Sequence, residues 1–125
     1  QIYNQTKWGD LDYLIIDMPP GTGDAYLTIA NEVNPDGIIL VTTNNIMSAE
    51  DTLKSKITFN KLEIPILGFL INMYENGKGK YKMSAKELQN LLDVNCFGTI
   101  YFDNNLAEFK SQTITKVFKP IIELI

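Results

Sequence analysis

The run Trp8-Gly9-Asp10-Leu11-Asp12-Tyr13-Leu14-Ile15-Ile16-Asp17-Met18-Pro19-Pro20-Gly21-Thr22-Gly23-Asp24 joins an apolar strand core to a loop of two prolines and two glycines. A strand buried on both faces reads as a continuous apolar run, so Tyr13 to Ile16 suits the interior of a parallel sheet with helices on either side. Asp17 then falls at the strand's carboxyl end, the edge at which open α/β sheets bind ligands. A carboxylate there can hold a magnesium ion, directly or through water, beside the phosphates of a nucleotide. Pro19 and Pro20 stiffen the loop that follows, and Gly21 and Gly23 let backbone amides approach an anion. The plainer alternative is a strand-to-helix turn ending in an acidic helix cap.

Outward from this run, apolar strands alternate with helical patterns. A helix is expected from about Asp24 to Val33, closed by Asn34-Pro35-Asp36-Gly37. Ile38–Thr42 reads as a second buried strand, with Thr43-Asn44-Asn45 at its carboxyl end. Ser48 is the expected cap of the next helix, whose acidic first turn suits the dipole and whose inner face would be Leu53, Ile57 and Leu62. Ile64-Pro65 breaks that helix before a third strand, Ile66–Ile71, which ends in Asn72-Met73. Ser84-Ala85-Lys86-Glu87 is a capping box that predicts a helix to about Leu92. A short strand at about Phe97–Tyr101, a helix near Leu106–Lys110 and a last helix from about Thr113 complete the chain. Val117, Ile121 and Ile122 would share a face of that last helix, and Pro120 would kink or interrupt it. The alternation reads as repeated βαβ units: an α/β fold with a mostly parallel sheet and helices on both faces.

Two tempting motifs fail. Gly77-Lys78-Gly79-Lys80 has neither the spacing nor the hydroxyl of a phosphate loop. Gly21-Thr22-Gly23 cannot open a dinucleotide fingerprint, because its sixth position is Tyr26, too large for the close helix packing required.

The run from Trp8 to Asp24 closely resembles the second nucleotide motif of the Mrp/ApbC-type P-loop ATPases, a deviant-Walker branch related to septum-positioning and partitioning ATPases. Weaker similarity continues through Thr42-Thr43, Asp51 and Ile71-Asn72-Met73 to about Asp103. The resemblance implies a partial P-loop NTPase fold, ATP and magnesium as cofactors, and an ATP-hydrolysing carrier or assembler of iron–sulfur clusters that binds ATP between two subunits. Its partners would be a second copy or a related ATPase subunit, and iron–sulfur acceptor proteins. Matched by position, Asp17 is the magnesium-linked carboxylate, acting through water, and Gly21 the glycine whose amide faces the terminal phosphate. These two are the catalytic candidates. Pro20, Gly21 and Asn72 are the nucleotide-binding ones, Asn72 because a side-chain amide can donate and accept in the plane of a purine edge. Asp51 matches a recurrent acidic position, though an Asp near a helix N-terminus is stabilising in any case.

Two departures from that family stand in the residues. The two-lysine P-loop of its first half is not in this sequence, and without that backbone nest and lysine phosphate affinity falls away. The Cys-x-x-Cys pair that many members carry after Asn-Met is also missing from Tyr74–Met83, which counts against direct cluster binding; Cys96 lies too far along to replace it. The alternative function is therefore a non-catalytic module, either a truncated paralogue docking on a complete partner or a regulatory nucleotide sensor.

Composition narrows the field further. With 125 residues the chain is one domain at most, and its start at Gln1 reads as the carboxyl-terminal portion of a longer P-loop NTPase domain. The 45% hydrophobic and 21% charged content is that of a globular protein. A net charge of −4, with every basic residue a lysine, argues against a nucleic-acid surface. Without His or Arg the chain can supply no His-based triad, His metal ligand or arginine finger. The lone Cys96 is expected to behave as a small hydrophobe. No apolar run reaches the roughly 18 residues that span a bilayer, so no membrane partner is expected and the compartment is expected to be the cytosol.

Overall fold

The computed structural model describes residues 5–18, 24–76, 79–108 and 111–123. In chain order the elements are α1 (Asp24–Glu32), β1 (Ile38–Thr42), α2 (Ile46–Lys61), β2 (Ile66–Tyr74), α3 (Ala85–Leu92), β3 (Cys96–Tyr101), α4 (Asn104–Ala107) and α5 (Ser111–Ile122). The strands form one sheet in the order β1-β2-β3, both pairings parallel. Parallel neighbours need a crossover, and α2 and α3 provide it. All three carboxyl ends therefore meet at one edge.

The helix boundaries follow local chemistry. Ser84 and Glu87 form the expected capping box: Glu87 Oε2 accepts from Ser84 N at 2.7 Å, and Ser84 Oγ accepts from Glu87 N at 3.2 Å. The Ser84 backbone N–H, and then its hydroxyl, hold the Glu87 carboxyl below the usual carboxylate range. A lowered folded value means the box stabilises α3 fully above the ordinary value of 4.5, and that this contribution is lost as pH falls through the folded value. NMR titration of the Glu87 side chain should give a midpoint below 4.5; one at or above it would contradict the box. At the other end, Asp93 closes α3 in the left-handed region at φ 48°.

For α2 the cap is Asn45, not Ser48: Asn45 Oδ1 accepts from Met47 N at 2.9 Å. Asn caps as well as Ser does, and the Ile46 N–H is already bound by Tyr81 O at 2.9 Å, so the helix starts earlier. Its buried residues are Ala49, Thr52 and Phe59. Ile57, expected inside, is 46% exposed, because at 100° per residue it lies about 140° around the helix from Thr52. Leu53 and Leu62 do pack against the core.

That core lies between one sheet face and α2 and α3. Phe69 and Ile71 of β2 and Leu88 and Leu92 of α3 are fully buried there, with Leu40, Ala49, Phe59 and Ile64 around them. Tyr26 of α1 closes it by stacking on Phe59 at 4.6 Å between ring centres. Leu70 alternates with Phe69 and Ile71 and so belongs to the other face. There it neighbours Gly98 and Ile121 of α5, and a Cβ on Gly98 would stand 3.1 Å from Ile121 Cγ1. The helix runs through Pro120 without interruption. Ile121 is buried, but Ile122, expected on the same face, is 67% exposed, since one residue turns the helix by about 100°.

Gly68 marks a tight approach. A Cβ there would lie 2.7 Å from the Asn95 carbonyl oxygen, which accepts from Phe69 N at 2.8 Å, and 2.8 Å from the Phe97 ring. Backbone cannot swing aside as a side-chain tip can. Gly68→Ala should therefore destabilise by about 1–3 kcal/mol, read as a lower urea midpoint at unchanged slope. An unchanged midpoint would contradict this contact.

The expectation for Tyr13–Asp17 needs correction. It is not a strand of the sheet: Tyr13 is 83% and Ile15 91% exposed, whereas Leu14 and Ile16 are 39% and 36% exposed. The alternation marks an extended segment with one side turned to the protein. Met18, next along, packs against the core. A continuous apolar run is buried on both faces only where strands flank it and helices lie above and below. Among the described residues nothing covers Tyr13 and Ile15, and β1 pairs only with β2.

Candidate functional site

The carboxyl edge of the sheet is formed by Thr42 to Asn45 after β1, Asn72 to Glu75 at the end of β2, and Tyr101 to Asp103 after β3. Its most distinctive backbone feature is at Asn72-Met73. Pairing between β2 and β3 passes from Ile71↔Thr99 to Tyr74↔Tyr101, so β2 carries one extra residue, a bulge. Met73 adopts φ 50°, a conformation that costs a side-chain-bearing residue energy and clusters at functional sites. Asn72 Oδ1 accepts from Met73 N at 2.9 Å, which fixes its side chain against the bulge. Beyond it, Tyr74 meets Tyr101 edge to face at 5.4 Å, and Phe102 N donates to Tyr74 O at 3.2 Å.

Asn44, for which the sequence suggested no role, ties this bulge to β1. It is buried, at 6% exposure. Its Nδ2 donates to Glu75 O at 3.0 Å, and its Oδ1 accepts from Glu75 N at 3.5 Å. Its own carbonyl accepts from Met83 N at 2.9 Å, and Asn45 bridges Lys82, so residues 81–83 run as a strap across the loop after β1. Lys82 Nζ pairs with Glu75 Oε2 at 2.9 Å. Thr43 Oγ1 donates to Ser48 Oγ at 2.9 Å. Beside the clamp lies a cavity of about 230 Å³ lined by Asn44, Tyr74, Lys82, Met83 and Glu87 among others. The signal for Asn44 in the sequence was weak: an Asn-Asn pair after a buried strand, indistinguishable from a turn.

Of the sequence candidates, Asn72 stands at this edge. Asp17 is exposed and lies outside the sheet, with no ion pair among the described residues. Pro20 and Gly21 lie outside the described residues. Asp51 is not part of the edge site: it faces solvent at 74% side-chain exposure and pairs with Lys54 at 2.8 Å. Cys96 begins β3, so it sits at the amino edge, opposite Asn72. Burial pushes its thiol up, and Sγ donates weakly to Gly98 O at 3.7 Å.

The donor set suits magnesium better than a cluster. Magnesium keeps several waters and takes one or two carboxylates plus phosphate oxygens, and Asp17 is an exposed carboxylate of that kind. No group of three or more His, Cys, Asp and Glu is placed to cage a metal among the described residues. An iron–sulfur cluster takes about four thiolates, and this chain has one cysteine, so its residues do not fit a cluster. No helix among the described residues is long and apolar enough to cross a membrane.

Comparison with known proteins adds to this geometry. The family model described as ParA, NUBPL iron-transfer P-loop NTPase, matches residues 1–120. An iron–sulfur cluster carrier protein of Rickettsia conorii is 51% identical over 73 residues, 58% of this chain and 23% of that protein. The Aquifex aeolicus protein of the same description is 37% identical over 111 residues, 82% of this chain and 30% of its own length. The chain thus spans about a quarter of the length of the curated relatives it matches. Among solved structures, the Pyrococcus furiosus cell division ATPase MinD superposes with a TM-score of 0.71 at 23% identity, over 90% of this chain and 49% of that one. The Pyrococcus horikoshii septum site-determining protein MinD, solved with Mg-ADP, gives 0.67 at 24% identity, over 94% of this chain and 42% of its own.

Proposed function

Because this chain belongs to the ParA family of NUBPL iron-transfer P-loop NTPases, we propose that it forms the base- and metal-facing part of an ATP site in an iron–sulfur cluster carrier of the cytosol. The phosphate-binding loop is supplied by residues other than these 125. The observation that carries the reading is the Asn72-Met73 bulge at the carboxyl edge of a parallel sheet, in a chain that the family model matches almost throughout. Asn72 presents an amide whose Oδ1 is already oriented by Met73 N, and whose Nδ2 makes no hydrogen bond among the described residues. That pairing of donor and acceptor suits adenine. Asp17 holds magnesium through its waters, and Gly21, with Pro20 before it, gives a backbone amide to the terminal phosphate. When bound, magnesium neutralises charge on the phosphates. The cluster is cargo, held by thiolates from outside this chain, and an acceptor protein receives it. A second copy or a related ATPase subunit completes the assembly.

The competing reading, a docking module that never completes a nucleotide site, draws on the exposed Tyr13 and Ile15. A calorimetric titration of the 125-residue chain with magnesium and ATP tests the proposed division of labour. Most of a nucleotide's charge is on its phosphates, and the remaining neutral hydrogen bonds contribute about 0.5–1.5 kcal/mol each. That does not offset the several kcal/mol lost in fixing a ligand. The expected affinity is no better than about 1 mM, or −4 kcal/mol. Micromolar binding would overturn the assignment of the phosphate site to residues elsewhere.

A further inference from the structure

We propose that Asn44 is a positioning residue for the base site: its buried side-chain amide clamps the backbone of Glu75 and so fixes the Asn72-Met73 bulge in the shape that presents Asn72 to a purine edge. The inference rests on the base-site reading above, but the clamp itself is geometric. Both polar atoms of the Asn44 amide are committed to one residue, Nδ2 to Glu75 O at 3.0 Å and Oδ1 to Glu75 N at 3.5 Å. Only one orientation of the amide serves both, since the nitrogen must face the carbonyl and the oxygen the N–H. The side chain thus substitutes for a neighbouring strand, extending the pairing of β2 past the point where β1 ends at Thr42.

The bulge is held from both sides. Ile71↔Thr99 pins it before Asn72; Tyr74↔Tyr101 and the Asn44 clamp pin it after Met73. Between these pins Met73 stays at φ 50°, from which an unrestrained residue would relax. Asn44 in turn is anchored by Met83 N on its carbonyl and by the Asn45 cap of α2. Asn44 is buried, at 6% exposure, with its amide turned to Glu75. Its effect on a base must pass through Asn72.

Two measurements on 15N-labelled protein test this. In the first, amide hydrogen exchange is compared in native chain, Asn44→Ala and Asn44→Asp. Loss of the clamp should speed exchange at Met73 and Glu75 by about tenfold in Asn44→Ala, the effect of one hydrogen bond at the upper end of its usual range, and leave Leu88 and Leu92 unchanged. Asn44→Asp keeps the acceptor but loses the donor and sets a carboxylate oxygen against the Glu75 carbonyl, so it should speed exchange at these amides at least as much as Asn44→Ala. Unchanged exchange at Met73 and Glu75, or equal acceleration throughout, would overturn the positioning role, the latter because it marks a merely structural residue. In the second, AMP and GMP are titrated into a protein that unites this chain with a P-loop, native or carrying Asn44→Ala, while the Asn72 side-chain amide signals are followed, a readout that detects weak binding. AMP but not GMP should shift them in the native protein, and Asn44→Ala should abolish the shift although Asn72 is intact. A full AMP response in Asn44→Ala with its bulge amides opened would overturn the proposal. No AMP response in the native protein would overturn the base-site reading and the presentation of Asn72 with it, while the exchange data would still decide whether the clamp exists.

Discussion

In a protein that unites this chain with a P-loop, Asp17→Asn should lower ATP turnover by about a hundredfold, the scale seen when one group serving transition-state charge is removed. Nucleotide affinity should change far less. The reason is the division of roles at a magnesium site. A carboxylate holds the metal's water shell through charge as well as hydrogen bonds, and a neutral amide of the same shape loses the charge. The phosphates still bind through the P-loop amides and lysine, so the ground state is nearly unaffected. The transition state is not, because the metal's main service is to charge that develops as the phosphoryl group leaves. Asp12→Asn, an exposed carboxylate five residues earlier in the same segment, is the matched control and should leave turnover unchanged. Equal turnover in native protein and Asp17→Asn, with folding intact, would remove Asp17 from the site.

Phe69→Ala should be the most damaging single change to the fold. Phe69 is fully buried at the centre of β2, between β1 and β3, where Leu40 pairs with it on one side and Cys96 on the other. Its ring belongs to the cluster that joins α2 and α3 to the sheet. Truncation of such a ring costs about 3–5 kcal/mol, through lost transfer energy and the cavity left behind. That is a large share of the 5–15 kcal/mol by which domains are stable. The expected result is a chain largely unfolded or molten by near-ultraviolet dichroism, while Val41→Ala, at a position 59% exposed on the other face, changes the urea midpoint little. A cooperative Phe69→Ala transition within 1 kcal/mol of the native one, about fivefold in the equilibrium constant, would contradict this core.

What the sequence made legible was local. The Ser84–Glu87 box needs only four consecutive residues, and it is present as read. The apolar runs at Ile38–Thr42 and Ile66–Ile71 identified β1 and β2, although β2 continues to Tyr74. What escaped depends on residues far apart in the chain. Phe59 is buried because Tyr26, from another helix, stacks on it. The bulge at Asn72-Met73 exists only relative to the register of β3. Asn44 and Glu75 are 31 residues apart, and nothing in either neighbourhood announces the other. Tyr13–Ile16 failed for a related reason: an apolar run states that a segment suits a sheet interior, not that strands and helices are present to make one. Asn72 stands at the carboxyl edge expected from the end of its strand, whereas Asp17 lies in a segment with no strand pairing rather than at the end of a strand of the sheet.

The central claim is that the carboxyl edge around Asn72 is the base side of an ATP site. Photolabelling with 2-azido-ATP and magnesium, in a protein that contains both this chain and a P-loop, tests it most directly. Peptide mapping should recover the adenine-borne label on the segment from Ile71 to Glu75, and unlabelled ATP should compete it away while GTP does not. Competed label recovered elsewhere in this chain, with none on that segment, would contradict the account.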